Sequence, residues 1–341
     1  MKNRIIAFDL IKLFAIFLVI EGHCTQHLLS SFEYDEPVYV YIYSFHMPLF
    51  MFLSGYFSFK KNIYIKTAWG GVIKRFSQLI IPSAVAMALH LLLLSALSND
   101  ISIFSNPQAW RTELFSTLWF LKSLFICYVI YMAIIVVPKP YRYFLIFLVI
   151  LVTPFIKYFR ILYMFPCFIL GVISHKHDYI IKYNTIVQII SAPIFILCLA
   201  FWNSGAFTLN LVSFHGLLSG EITPLLIFFK QYSYVLLTGI SGALFFTSFL
   251  FRCFSRYEKS TILCKLSDYG TYTLGIYIIQ TFLLETVLSA YVKFDLYFSP
   301  IICNVFIIPF ASLIILCVSI LLVKLINRNK LLSSLLIGSN K

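Results

Sequence analysis

Stretches without a single Asp, Glu, Lys or Arg, longer than the roughly 20 residues a helix needs to cross a bilayer, recur along this chain. Four of them are Pro37 to Phe59, Phe76 to Asn99, Gln231 to Phe251 and Leu296 to Val323. Lipid offers no partners for backbone N–H and C=O groups, so such a chain spans either as helices or as a closed barrel. Barrel strands read as segments of about ten residues of alternating polarity. Here the apolar residues come in continuous blocks such as Leu91 to Leu94. Composition points the same way, with 61% hydrophobic residues, 11% charged and a mean hydropathy of +0.92, far from a soluble domain. The expected fold class is all-α, a polytopic membrane helix bundle.

Weaker apolar segments fill the gaps between the four runs. The pattern predicts ten helices, at about 8–28, 37–58, 76–97, 117–137, 141–157, 160–175, 184–202, 232–252, 268–290 and 298–324. Cytoplasmic loops carry excess Lys and Arg, and with the N-terminus inside, nineteen of the 26 basic residues fall on inner segments and five on outer ones. That asymmetry favours an even helix count with both termini cytoplasmic. The reading is one transmembrane domain over residues 1–341, with a cytoplasmic tail from about 325 and no appended soluble domain. The first helix is read as retained, because no small-residue cleavage pattern follows it. The net charge of +13 belongs to topology and to anionic lipid, and gives no reason to expect nucleic acid as a partner. Eight cysteines lie scattered without C-x-x-C spacing, which supports buried thiols, and neither a disulfide framework nor a metal site. No tandem repeat or low-complexity tract is present. The polar connection Lys60 to Arg75 mixes basic and aromatic residues and is expected to lie along the inner interface.

The first helix holds an anomaly, "KLFAIFLVIEGH" from Lys12 to His23. At 100° per residue Lys12 and His23 fall within about 20° of one face, about 16 Å apart along the axis, with Asp9 about 60° from Lys12 and His27 a turn beyond His23. Glu21 lies on the opposite side. Ionisable groups inside a membrane helix are costly and usually face a bundle interior or a wet cavity. Asp9 and Lys12 lie near the inner surface, where snorkelling to water is an equal explanation. His23 is deeper, and imidazole changes charge near neutral pH, so proton transfer or ligand binding is the stronger reading for it. His90, alone in "AMALHLLLL", has no such supporting stripe and reads as a packing residue.

The second helix adds His46, Pro48, Ser54 and Gly55 to an aromatic segment, "SFHMPLFMFLSGYF". Proline at that depth frees backbone carbonyls, which predicts a broken or re-entrant helix lining a cavity. Close helix packing explains Ser54 and Gly55 equally well, but it does not explain His46. Lys122 and Glu285 are further charges near outer helix ends. Trp119 reads as packing or lipid-facing, with sugar stacking as the functional alternative. Lys74 and Arg75 read as topology signals or as contacts to an anionic ligand.

In this order the motifs resemble acyltransferase family three, integral membrane enzymes that include O-acetyltransferases of bacterial surface polysaccharides. Asp9, Lys12 and His23 are similar to the family's opening "D-x-x-(R/K)…H" segment, with lysine where many members carry arginine and so without the bidentate fork. Phe45-His46-Met47-Pro48-Leu49-Phe50 with Ser54-Gly55 resembles its "F-(H/R)-M-P-L-F…S-G" segment. Leu118-Trp119-Phe120-Leu121, Phe165 to Gly171 and Tyr269 to Tyr277 resemble later elements. Where the family often places a histidine shortly after the last of these, this chain has Gln280.

The resemblance implies transfer of an acetyl group from acetyl-CoA to a sugar hydroxyl of a glycan or glycolipid, in a bacterial inner membrane. His23 would act as base or acyl carrier, with Lys12 and Asp9 beside it. His46, Ser54, Trp119 and Glu285 would line the substrate cavity, and Lys74 and Arg75 would meet the phosphates of the donor. The donor is then a substrate, with membrane lipid around the protein and no metal expected. Two other readings stand beside this one. A carrier or flippase-like transporter would bind a polar substrate on the same stripe, although carriers commonly show internal repeats and none is visible. A member that has lost catalysis would explain the departures at Lys12 and Gln280.

Overall fold

The computed structural model describes residues 5–33, 36–60, 64–100, 102–153, 156, 160–202 and 222–339, and among these there is helix and no strand. The helices are α1 (Ile6–Leu28), α2 (Pro37–Ser58), α3 (Ile65–Arg75), α4 (Ile81–Ser98), α5 (Ser102–Ser105), α6 (Pro107–Ser116), α7 (Trp119–Val136), α8 (Lys139–Val152), α9 (Ile161–Lys176), α10 (Tyr179–Lys182), α11 (Asn184–Ala200) and α12 (Ile222–Ser255). They continue with α13 (Thr261–Tyr269), α14 (Thr273–Thr281), α15 (Ser289–Tyr291), α16 (Pro300–Ile302), α17 (Ile308–Ile326) and α18 (Lys330–Ile337). The described parts of the ten expected segments fall mainly on helix, and positions 154, 155 and 157 of the fifth lie outside the described residues. Six continuous helices among the described residues are long and apolar enough to cross a membrane by length and composition: Pro37–Ser58, Ile65–Ser98, Trp119–Val136, Leu226–Ser255, Thr261–Leu296 and Pro300–Ile326. Ile161–Lys176 and Asn184–Ala200 are apolar but shorter.

One local expectation is corrected, at Pro48, and two are refined. The connection Lys60 to Arg75 is helical from Ile65 and runs through a π-helical turn, Phe76–Ile80, straight into α4. Its apolar residues Ile65, Trp69 and Ile73 recur every four positions on one exposed stripe, a helical period hidden among basic residues. The second helix is not broken at Pro48, because α2 runs from Pro37 to Ser58 with that proline inside it. Gly239 faces the proline ring, where an added Cβ would stand 2.8 Å from Cγ, so α12 packs directly against α2 at that proline. The segment expected at 268–290 is a composite, with a 3₁₀ turn at Gly270–Tyr272 and a π-helical turn at Phe282–Leu288.

The chain divides into two compact units. The first comprises residues 1–42, 73–125 and 257–341. Within it α1 packs against α13, α14 and α17. The approach at the start of α1 is close enough that a Cβ on Gly270 would lie 2.0 Å from the Asp9 carbonyl oxygen. After α17, Asn329 caps α18 by accepting from the N–H groups of Leu331 and Leu332. Gly338 closes that helix at φ 62 against the carbonyl of Gln78, so α18 docks on α4.

The second unit comprises residues 43–72 and 126–256. Here α11 lies along α12, tied by the Asn184 amide donating to the Ser248 carbonyl at 2.8 Å. The later part of α2 meets α9 backbone to backbone: a Cβ on Gly55 would stand 1.9 Å from the Phe168 oxygen, and one on Gly171 2.0 Å from the Phe52 oxygen. Such reciprocal small-residue contacts are how membrane helices approach closely. Phe45 stacks on Phe246 at 4.1 Å beside them.

Large apolar side chains such as Phe144, Phe147, Leu151, Phe310, Ile314 and Leu321 are exposed on the outside of their helices. A soluble monomer rarely shows apolar patches of such extent, and lipid contact accounts for them. All eight cysteines are free thiols, five of them buried, with Cys253 and Cys264 intermediate and Cys317 exposed.

Candidate functional site

Because α1 is one uninterrupted helix from Ile6 to Leu28, the stripe read from its sequence is physically a stripe. Near its N-terminal end the Lys12 ammonium meets the Asp9 carboxylate at 3.0 Å, and Asp9 is buried. The two residues therefore neutralise one another, three positions apart on the same helix. Farther along, the rings of His23 and His27 lie 5.9 Å apart, one turn separating them.

Glu285 faces this pair. Its Oε1 stands 3.3 Å from His23 Nδ1, an ion-pair distance without the alignment of a tight hydrogen bond. The side chains are 17% and 28% exposed respectively, shielded yet reachable by a substrate. A carboxylate only accepts hydrogen bonds, so Glu285 favours the imidazole tautomer with its proton on Nδ1 and leaves Nε2 as the proton acceptor. The π-helical turn Phe282–Leu288 carries Glu285. Such turns insert one residue relative to an α-helix and recur at functional sites.

A second imidazole–carboxylate pair lies in the same unit. His90 Nδ1 stands 3.1 Å from Glu113 Oε2, Glu113 also accepts from the Thr117 hydroxyl, and the His90 ring lies 6.3 Å from that of Phe282, at the start of the π turn. The packing role expected for His90 thus leaves out its ion pair. Lys122, buried in α7, donates to the carbonyls of Leu114 (2.6 Å) and Thr117 (2.7 Å). It satisfies backbone oxygens that the end of α6 leaves without helical partners.

Of the other expected site residues, Trp119 follows Leu118, which holds φ 50, a conformation uncommon for a branched residue. Its ring packs edge-on against Phe120 at 6.0 Å. Lys74 is exposed and Arg75 partly so, at the end of α3. His46 and Ser54 belong to the second unit. There His46 is buried with its ring 4.7 Å from that of Tyr43, and the Ser54 carbonyl accepts from Ser58 at 2.7 Å. Gln280 is fully buried: its amide nitrogen donates to the Tyr277 carbonyl and the Thr281 hydroxyl, while its Oε1 has no hydrogen-bond partner. The structure therefore joins His23 to Glu285 and Lys12 to Asp9. It also adds His27, which the sequence marked only as a neighbouring turn.

A family profile described as "Acyltransferase domain" matches residues 5–325. Nodulation protein NolL of Mesorhizobium japonicum is 35% identical over 133 residues, spanning 38% of this chain and 35% of that protein. Nodulation protein NolL of Sinorhizobium fredii is 25% identical over 301 residues, spanning 82% of this chain and 78% of that protein. No solved structure matches the chain. With a profile covering nearly its whole length on an all-helical membrane scaffold, the chain belongs to acyltransferase family three.

Proposed function

We propose that the protein is a membrane O-acyltransferase that moves an acetyl group from acetyl-CoA to a sugar hydroxyl of a cell-surface polysaccharide or its lipid-linked precursor. The observation that carries the reading is the His23–Glu285 pair at 3.3 Å, set inside a chain of this family. A sugar hydroxyl is a poor nucleophile near neutral pH, and a positioned base contributes about 10²–10⁴-fold to its reaction. His23 Nε2 takes the hydroxyl proton as the oxygen attacks the thioester carbonyl. The C–S bond then breaks and the coenzyme A thiolate leaves, receiving that proton from the imidazolium. Glu285 holds the ring and stabilises the imidazolium that forms in between. In a covalent variant of the route the same Nε2 attacks the thioester and expels the coenzyme A thiolate, and the sugar hydroxyl then takes the acyl group as the N–C bond breaks, its proton passing to the freed imidazole.

Lys12 with Asp9, and Lys74 and Arg75, would meet the anionic donor from the inner side. Trp119 would line the acceptor path, with His46 and Ser54 as further cavity residues. The protein would lie in a bacterial inner membrane as a single domain of ten spans with both termini cytoplasmic, an orientation supported by the distribution of Lys and Arg.

The test is the O-acetyl content of the host's surface polysaccharides by proton NMR, comparing wild type, a deletion strain and His23→Ala at equal membrane level. Loss of one acetyl signal in both the deletion and the variant is expected, and the lost signal identifies the acceptor sugar. An identical profile in all three strains overturns the reading and returns the protein to a carrier or non-catalytic partner.

A further inference from the structure

His23, His27 and Glu285 each offer one ligand atom, and these three atoms all lie within 4.8 Å of one another. We propose that they form a divalent-metal site for a borderline ion such as Zn²⁺, and that the bound ion inhibits acyl transfer by occupying His23. The inhibitory half rests on the acyl-transfer reading above; the metal site itself does not.

The geometry suits such an ion. Ligands held at about 2.0–2.2 Å on a tetrahedral ion stand about 3.3–3.5 Å from each other, and the His23 Nδ1 to Glu285 Oε1 separation is 3.3 Å. The His27 ligand atom lies within 4.8 Å of the other two, so it needs to approach by at most about 1.5 Å to reach the tetrahedral spacing. Two histidines one helical turn apart plus one carboxylate from a facing segment is a three-ligand set that leaves the fourth position to water. Imidazole nitrogens favour zinc, copper or nickel over the harder calcium and magnesium.

The frame is held in place near the cluster. Lys293 donates to the His27 carbonyl at 2.7 Å. Asp295 accepts from the backbone and hydroxyl groups of both Ser30 and Ser31 at 2.7–3.0 Å. The outer end of α1 is thereby fastened to the segment that follows Glu285, and the Asp9–Gly270 contact fastens the inner end. Ligands fixed by their surroundings in this way need little ordering when the ion arrives.

Sequence spacing gave no hint of this site, since its third ligand comes from the far end of the chain. Metal at the cluster competes with catalysis for the same imidazole, so the ion acts as a brake that a chelator releases.

The purified full-length protein in detergent is titrated with Co²⁺ as the optical probe. Expected are visible d–d bands at one equivalent without thiolate-to-cobalt charge transfer, which separates this site from the eight cysteines, and loss of at least tenfold in affinity in His27→Gln. Acetyl transfer by the wild type is expected to fall with added Zn²⁺ and recover with chelator. In His27→Gln the inhibition by Zn²⁺, measured against the variant's own metal-free rate, is expected to be lost. Thiolate bands, or binding unchanged in His27→Gln, overturn the metal site. Activity abolished by chelator overturns the inhibitory role. Histidine-dependent cobalt binding without any acyl transfer leaves the site standing while sinking the proposed function.

Discussion

Glu285 shows how a single side chain changes meaning once its neighbour is known. In the sequence it is a charge near a helix end, with no signal linking it to His23; in the structure it is the group that faces that imidazole. Glu285→Gln keeps the shape but removes the acceptor charge, and its acetyl transfer is expected to fall about 10²-fold, within the range assigned to a positioned base. Quantifying the polysaccharide acetyl signal at matched protein level checks this, and a rate within twofold of wild type would dissociate the carboxylate from the chemistry. Lys12 offers a second contrast. Lys12→Arg preserves the pairing with buried Asp9 and is expected to retain activity. Lys12→Ala removes the ammonium that stands 3.0 Å from the buried Asp9 carboxylate, at a cost of about 1–3 kcal/mol, so detergent thermal scans should show a lower midpoint together with lost activity. The histidine stripe was legible because helical periodicity is local. Its partner was not, because nothing in a linear pattern reports which distant turn packs against which face.

At the scale of elements, apolar runs revealed where helices lie but not how they are interrupted. Pro48 marked a break that does not occur, because regular helix on both sides and the close approach of Gly239 accommodate the ring. The true irregularities, the π-helical turns at Phe76–Ile80, Phe282–Leu288 and Cys303–Ile307, carry no proline and leave no mark in hydropathy. Backbone contacts make the tightest packing predictions. A Cβ at Gly270 meets the Asp9 backbone at 2.0 Å and no flexible side chain can yield there, so Gly270→Val is expected to destabilise by at least about 1–3 kcal/mol, read as a lower thermal midpoint. Gly70, inside α3 with open space around its Cβ position, provides the control, and Gly70→Ala should not lower the midpoint, since alanine favours helix over glycine.

For the whole molecule, the six apolar helices long enough to span fit a multi-pass membrane protein, and the uneven distribution of Lys and Arg predicts which loops lie inside. Single-cysteine variants test the orientation. Cys264, next to the basic stretch Arg252 to Lys265, should react with a membrane-impermeant maleimide only after the cells are opened, whereas Ser105→Cys, on the exposed α5, should react in intact cells; the reverse pattern would invert the proposed topology. The π turn around Glu285 has a consequence at the level of the gene. A π turn holds one residue more than a regular α-helix needs, so deleting a single codon between positions 282 and 284 would let Phe282–Leu288 close to regular helix with both flanks still in register. Such an allele would leave the stripe on α1 and every apolar span intact, and its effect would fall on the placement of Glu285 against His23. A shortened gene of this kind therefore separates where the carboxylate stands from whether it is encoded at all.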